Sequence, residues 1–170
     1  AYGEETEGIS KTYIEFRYRL LPYNYSKFYE ATLSGMPVAR SLCINYPFDK
    51  MVYDKLYQYQ FLFGDAMLIV PITSQEKTKK FYLPSGKWYD AYSDSLINGN
   101  SEIMKEFPVY QLPIYIKASS IIPVQSLVQS TKEKPSDTLY VHIYNGTEKN
   151  VFTYYEDDGS TLSYKDGNYY

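Results

Sequence analysis

Residues 60–72, Gln60-Phe-Leu-Phe-Gly-Asp-Ala-Met-Leu-Ile-Val-Pro-Ile72, are where the chain changes its pattern. Ala66 to Ile72 is a compact apolar run, where strand-like patterning begins. Before it the apolar residues keep helical spacing, and after it short strand-like runs succeed one another. On the N-terminal side Ile14, Tyr18, Leu21, Tyr25 and Phe28 recur at intervals of three and four, one face of a helix over about 9–34. Glu4, Glu5 and Glu7 stand ahead of it, where carboxylates favour the positive end of the helix dipole. Glu15 and Arg19, four apart, are in the favourable order for a helical ion pair. Pro22 must kink or divide that helix, and Gly35-Met36-Pro37 ends it. Pro37 to Tyr46 reads as a short buried strand holding Arg40, and Asp49 to Phe61 as a second, shorter helix.

On the C-terminal side Lys79–Leu83 and Lys87–Tyr92 flank a Pro84-Ser85-Gly86 turn, and Asn98-Gly99 marks another. Leu112 to Val124 is apolar but broken by Pro113, and residues 131–137 form a polar loop. Leu139, Val141 and Ile143 alternate with polar or aromatic residues, so one face of that strand is expected to be buried. Asn145-Gly146 then turns the chain towards a strand at Val151–Tyr155. The second part is expected to be an antiparallel β-domain, a sandwich. One long helix, one strand and one short helix do not make a core by themselves, so their apolar faces ask for a partner beyond these residues.

Composition narrows the function. Of 170 residues, 17 are Lys or Arg and 20 are Asp or Glu, a formal charge of −3, which gives no footprint for nucleic acid. The single cysteine, Cys43, excludes an internal disulfide framework and a cysteine-based zinc site. No run is long and apolar enough to span a membrane, and the acidic N-terminus is unlike a signal peptide. Tyrosine is in excess, 22 residues against eight Phe and one Trp, which suits a core and an inter-domain surface built from rings that keep a polar tip.

Candidate chemistry is sparse. His142, the one histidine, faces away from Val141 and Ile143, and no motif supplies the nucleophile or carboxylate a catalytic histidine needs. Glu156-Asp157-Asp158-Gly159 gathers three carboxylates before a glycine without the spacing of a calcium loop, and adjacent aspartates at a strand end point apart, unlike a glycosidase pair facing across a cleft. A solvated turn is the expected role. Arg40, a charge on a buried strand, should have an acidic partner. Cys43 reads as a small apolar residue. Asn24-Tyr25-Ser26 and Asn145-Gly146-Thr147 match the glycosylation triplet, the first in mid-helix.

Several collinear segments nevertheless resemble glycoside hydrolase family 31. They are EFRYRLLPYNY at 15–25, GMPVARSL at 35–42, QFLFGDAMLIVPI at 60–72, YLPSGKWYD at 82–90, LPIYIKASSIIP at 112–123 and YEDDG at 155–159, with Tyr164 and Gly167 beyond them. The opening Tyr2-Gly3-Glu4-Glu5 also resembles the residues just after the family's Glu-Pro-Trp segment. The resemblance implies an α+β fragment: residues 1–62 as the last helices and strand of a (β/α)8 barrel, and 63–170 as the proximal C-terminal β-sandwich. It implies a parent that hydrolyses terminal α-glucosidic bonds of oligosaccharides with retention, through a glycosyl-enzyme intermediate and without metal or cofactor. The partner of this chain would be the remainder of that barrel. Two other roles are open: an α-xylosidase of the same family, and a non-catalytic carbohydrate-binding module.

The family's nucleophile lies in a Trp-x-Asp-Met-Asn segment and its acid/base in a Gly-Asp-Asn segment. Neither occurs here, so the resemblance assigns this chain no catalytic, substrate-binding or metal residue, and an isolated chain is expected to be inactive. Two positions depart from the pattern. Ser41 stands where proline usually comes after the arginine, loosening the strand there. Ser119 replaces a usual glycine, which suggests ordinary backbone at that point.

Overall fold

The computed structural model describes residues 2–73 and 78–170. It is a mixed α/β chain whose strands pair antiparallel in every ladder of known register. The helical stretch is two helices, α1 at Glu4–Arg19 and α2 at Leu21–Ser34, divided at Leu20 close to Pro22. The three glutamates lie within the first turn of α1, and Arg17 and Arg19 within its last, so both ends match the helix dipole. Glu15 pairs with Lys11 at 3.9 Å, on the turn before it, rather than with the expected Arg19. Gly35 closes α2 in the left-handed conformation, φ 72°, its N–H donating to Ala31 O.

Between α2 and the apolar run the regular structure is shorter than the sequence suggests. Strand β1 covers only Ala39–Ser41, and a single helical turn, α3 at Leu42–Asn45, comes next. The expected second helix is two 3₁₀ turns, Lys50–Tyr53 and Lys55–Tyr57. Asp49 caps the first by accepting from Met51 N at 3.0 Å, and Asp54 the second by accepting from Leu56 N at 2.8 Å. Two aspartates five residues apart, each able to cap, break one helix into two.

The chain resolves into two compact units. The second unit comprises 37–120 and 143–150. It holds β2 (Phe61–Phe63), β3 (Met67–Ile69), β4 (Thr78–Leu83), β5 (Lys87–Asp90), β6 (Leu96–Asn98), β7 (Ser101–Glu106) and β8 (Ile114–Lys117). Six strands form one sheet in the order β1-β2-β3-β8-β5-β6, and β4 pairs with β7. The Pro84-Ser85-Gly86 turn therefore does not make a hairpin of its flanking strands: β5 pairs with β6 and β8. Within this unit β1 pairs with β2, Arg40 opposite Leu62. The core gathers Trp88, Tyr57, Tyr82, Tyr115, Phe81 and Leu68, all but sealed from solvent. Phe81 on β4 stacks on Tyr115 on β8, centroids 5.0 Å apart, and Trp88 Nε1 donates to Pro84 O at 2.8 Å.

The first unit comprises 2–36, 121–142 and 151–170. Strands β9 (Ile121–Val124) and β10 (Tyr140–Ile143) form its two-stranded sheet. Every residue of β10 is exposed, and Leu139, Val141 and Ile143, the face expected to be buried, are 41%, 49% and 74% exposed. The strand expected at Val151–Tyr155 is absent; that segment instead lies along α2 as irregular chain. The buried residues of α2 are Pro22, Tyr23, Asn24, Ser26 and Lys27, not the predicted stripe, and Phe152 lies against Tyr23 and Lys27. Ile14 and Phe28 of that stripe are each 57% exposed, and none of the side chains of α1 is buried.

Candidate functional site

The carboxylates of Glu156-Asp157-Asp158 are each engaged by the chain itself. Ser26 Oγ accepts from Tyr155 N at 3.0 Å, which fixes the start of the turn against α2. Tyr25 and Tyr155 then donate their hydroxyls to the two oxygens of Asp157, at 2.5 and 2.6 Å, and Gly159 N donates to Asp157 Oδ1 at 2.8 Å. Asp158 accepts from the main-chain N–H of Ser160 and Thr161 and from the Thr161 hydroxyl, closing the turn. Tyr154 donates to Glu156 Oε2 at 2.9 Å. Around this centre Tyr29 lies flat on Tyr155, centroids 3.7 Å apart, with Tyr169 at 5.5 Å from Tyr155. The excess of tyrosine is the signal of this cluster, although its members lie far apart in sequence.

The electrostatics arise from those contacts. The Tyr155 and Tyr25 hydroxyls hold the Asp157 carboxyl below its usual range, and hydrogen bonds from Thr161 and Ser160 bring Asp158 down to about 2. Burial and the bond to Asp157 push the Tyr25 phenol up to about 12. A glycosidase general acid needs a carboxyl whose pKa is raised. Both aspartates are shifted the other way, and the contacts with Tyr25 and Ser26 clasp the turn to α2.

The remaining candidates do not converge on it. Arg40 is buried on β1, but its Nε donates to Gly64 O at 3.1 Å: the partner is a main-chain carbonyl rather than the acidic group expected. The turn after β2 presents that oxygen. Ser41 ends β1, as the missing proline suggests, and its Oγ accepts from the half-buried Cys43 thiol at 3.2 Å. His142 is exposed on β10. Asn24 is buried within α2, whereas Asn145 is exposed at a turn. Ser119 corrects an expectation. Its φ is +67°, the left-handed conformation a glycine would adopt freely, so the serine did not replace the special backbone but occupies it. Among the described residues no group of three or more His, Cys, Asp or Glu could hold a metal ion.

Residues 35–122, from the cap of α2 to β9, match the model of the glycosyl hydrolase family 31 C-terminal domain. The chain belongs to glycoside hydrolase family 31. It is 39% identical over 171 residues to alpha-glucosidase 2 of Bacillus thermoamyloliquefaciens, covering 99% of this chain and 21% of that protein. It is 29% identical to the alpha-xylosidase of Saccharolobus solfataricus, covering 99% of this chain and 23% of the relative. The family 31 dextranase of Flavobacterium johnsoniae, solved with glucose, superposes with a TM-score of 0.91 at 34% identity, over 99% of this chain and 21% of that one. The chain thus spans about a fifth of the length of these relatives. Members of family 31 are glycoside hydrolases, among them the α-glucosidase, the α-xylosidase and the dextranase just described.

Proposed function

We propose that these residues are the supporting C-terminal part of a retaining α-glucosidase-type hydrolase that cleaves terminal α-glucosidic bonds of oligosaccharides, and that they complete and brace its barrel without contributing a catalytic group. The observation that carries this reading is the bare helix pair. Ile14, Phe28 and Leu33 are at least half exposed on α1 and α2, as an apolar helix face would be whose cover belongs to a larger assembly. The catalytic pair would come from other segments, since barrel sites are assembled from the loops after several strands. The carboxylates singled out here are spent on their own turn. No metal or cofactor enters the chemistry.

In this reading α1 and α2 are barrel helices, and the family match to the C-terminal domain begins at residue 35. The α-xylosidase relative keeps the xyloside alternative open. The test is hydrolysis of 4-nitrophenyl α-glucoside and α-xyloside by the purified 170-residue chain, beside a longer protein that contains it. An inactive chain and a longer protein that prefers the glucoside are expected. Turnover by the chain alone overturns the division of labour, and preference for the xyloside replaces the substrate.

A further inference from the structure

In the second unit Lys117, Ala118 and Ser119 form a wall shared by two hollows, one of about 170 Å³ and one of about 250 Å³. Asn45, Tyr46 and Asp65 line the smaller, and Lys87, Tyr89 and Leu96 the larger. The 145–150 loop borders both, and Glu148 lines each. The two hollows share that wall but are parted where Gly146 packs on Ser119, so the larger is a groove of its own.

The groove is built in advance. The left-handed Ser119 is held by its own N–H donating to Tyr144 O at 2.9 Å. Its Oγ accepts from Glu148 N at 3.1 Å, and its carbonyl accepts from Asn150 Nδ2 at 2.9 Å. Tyr89 is fixed as well, donating its hydroxyl to Asn145 O at 2.9 Å with its ring 5.5 Å from that of Tyr144. A strained residue held by three hydrogen bonds points to a site whose shape matters, and a preformed site spends little on ordering when it binds.

The lining selects the ligand class. Lys87, Lys117 and Lys149 stand among Asp65 and Glu148, with Lys117 Nζ 3.9 Å from Glu148 Oε2, so neither sign of charge prevails. The amides of Asn45 and Asn150 both donate and accept, which matches hydroxyl groups. Tyr46 and Tyr89 supply one ring to each hollow, and a ring offers a flat apolar surface beside a polar tip.

We propose that the larger groove binds the end of a short neutral α-glucan, with one sugar ring against Tyr89. The choice of α-glucan among neutral hydroxylated ligands rests on the α-glucosidase reading; the groove does not. The test is titration of the ¹⁵N-labelled chain with isomaltotriose and maltotriose, with cellotriose as control, monitored amide by amide. Saturable shifts are expected at Ala118, Ser119, Gly146 and Glu148 with either α-glucan and not with cellotriose. Tyr89→Ala should weaken binding about tenfold. Glu148→Gln, which alters an exposed side chain and leaves the main-chain bond to Ser119, should weaken it several-fold even where the tyrosine variant fails to fold. Absence of shifts in the unaltered chain, shifts confined to other residues, or no loss in Glu148→Gln overturns the groove. Equal response to cellotriose overturns the α-glucan. Binding by the chain beside an inactive longer protein would leave the groove standing and remove the α-glucosidase reading; an active longer protein beside a silent groove would do the reverse.

Discussion

Gly146 packs so closely on Ser119 that a β-carbon added to it would lie 2.0 Å from the serine Oγ and 2.5 Å from its main-chain nitrogen. The serine in turn holds a backbone conformation that side chains rarely adopt. The two residues form one contact in which each position dictates the other.

Substitution at Ser119 separates strain from hydrogen bonding. Alanine and glycine both lose the bond to Glu148 N, but only glycine relieves the left-handed backbone. Ser119→Gly should therefore be more stable than Ser119→Ala by about 1 kcal/mol, read from urea midpoints. Equal stability would show that the φ of 67° costs nothing.

Among the described residues the Tyr115 hydroxyl is buried without a hydrogen-bond partner. Its ring still stacks on Phe81. Tyr115→Phe keeps the ring and removes the orphaned group, so it should raise stability by about 1 kcal/mol. A thermal midpoint lower than that of the parent chain would mean that the hydroxyl is satisfied in solution.

Asp90, buried at the end of β5, accepts from the Lys105 ammonium at 2.8 Å and from the N–H of Tyr92 and Ser93. Burial works to raise its pKa, but the lysine and the two N–H groups outweigh it and hold the folded value below the ordinary 3.8. A group depressed by folding stabilises the fold above its unfolded pKa and loses that contribution as the pH falls through the folded value. Stability should thus decline as the pH drops below 3.8, and Asp90→Asn should flatten part of that decline. At neutral pH the same variant should cost about 2 kcal/mol, because the charged bond to Lys105 is lost. A pH series of urea unfolding curves checks both.

Removing the Asp157 acceptor should release the terminal segment from α2. In Asp157→Asn the Tyr25 and Tyr155 hydroxyls lose their charged partner, and hydrogen exchange at Tyr155 N and Tyr170 N should speed up several-fold while the Trp88 region stays protected. Unchanged exchange at Tyr155 would assign the attachment to the Tyr29 stack instead.

The residues that were legible were those whose local chemistry decides their structure. Pro22 divides the helices, Gly35 ends the second, and β8 starts directly after Pro113, which breaks the apolar stretch as the sequence suggests. What hydropathy could not reveal was set by polar groups placed inside. Asn24 and Lys27 occupy the buried side of α2, the lysine paired with Glu30 at 2.8 Å and lying over the Phe152 ring at 5.1 Å, so an apolar stripe pointed to the wrong face. The turn at Pro84-Ser85-Gly86 was legible but its strand pairing was not: β4 pairs with β7, and β5 with β6 and β8. For Arg40 the missing information was a carbonyl oxygen, which no side-chain pattern announces. The family resemblance carried across all of this because it depends on the order of segments, not on which face each one buries.

The clasp between Tyr25 and Asp157 joins residues 132 positions apart, and it has a consequence for biosynthesis. A ribosome releases α2 long before the residues that cover it. Residues 37–120 can close their sheet while translation continues, but the first unit must wait until Asp157 has left the exit tunnel. Through that interval Tyr23 and Lys27 stand uncovered, which makes the nascent helix pair the stretch of this chain most in need of a chaperone.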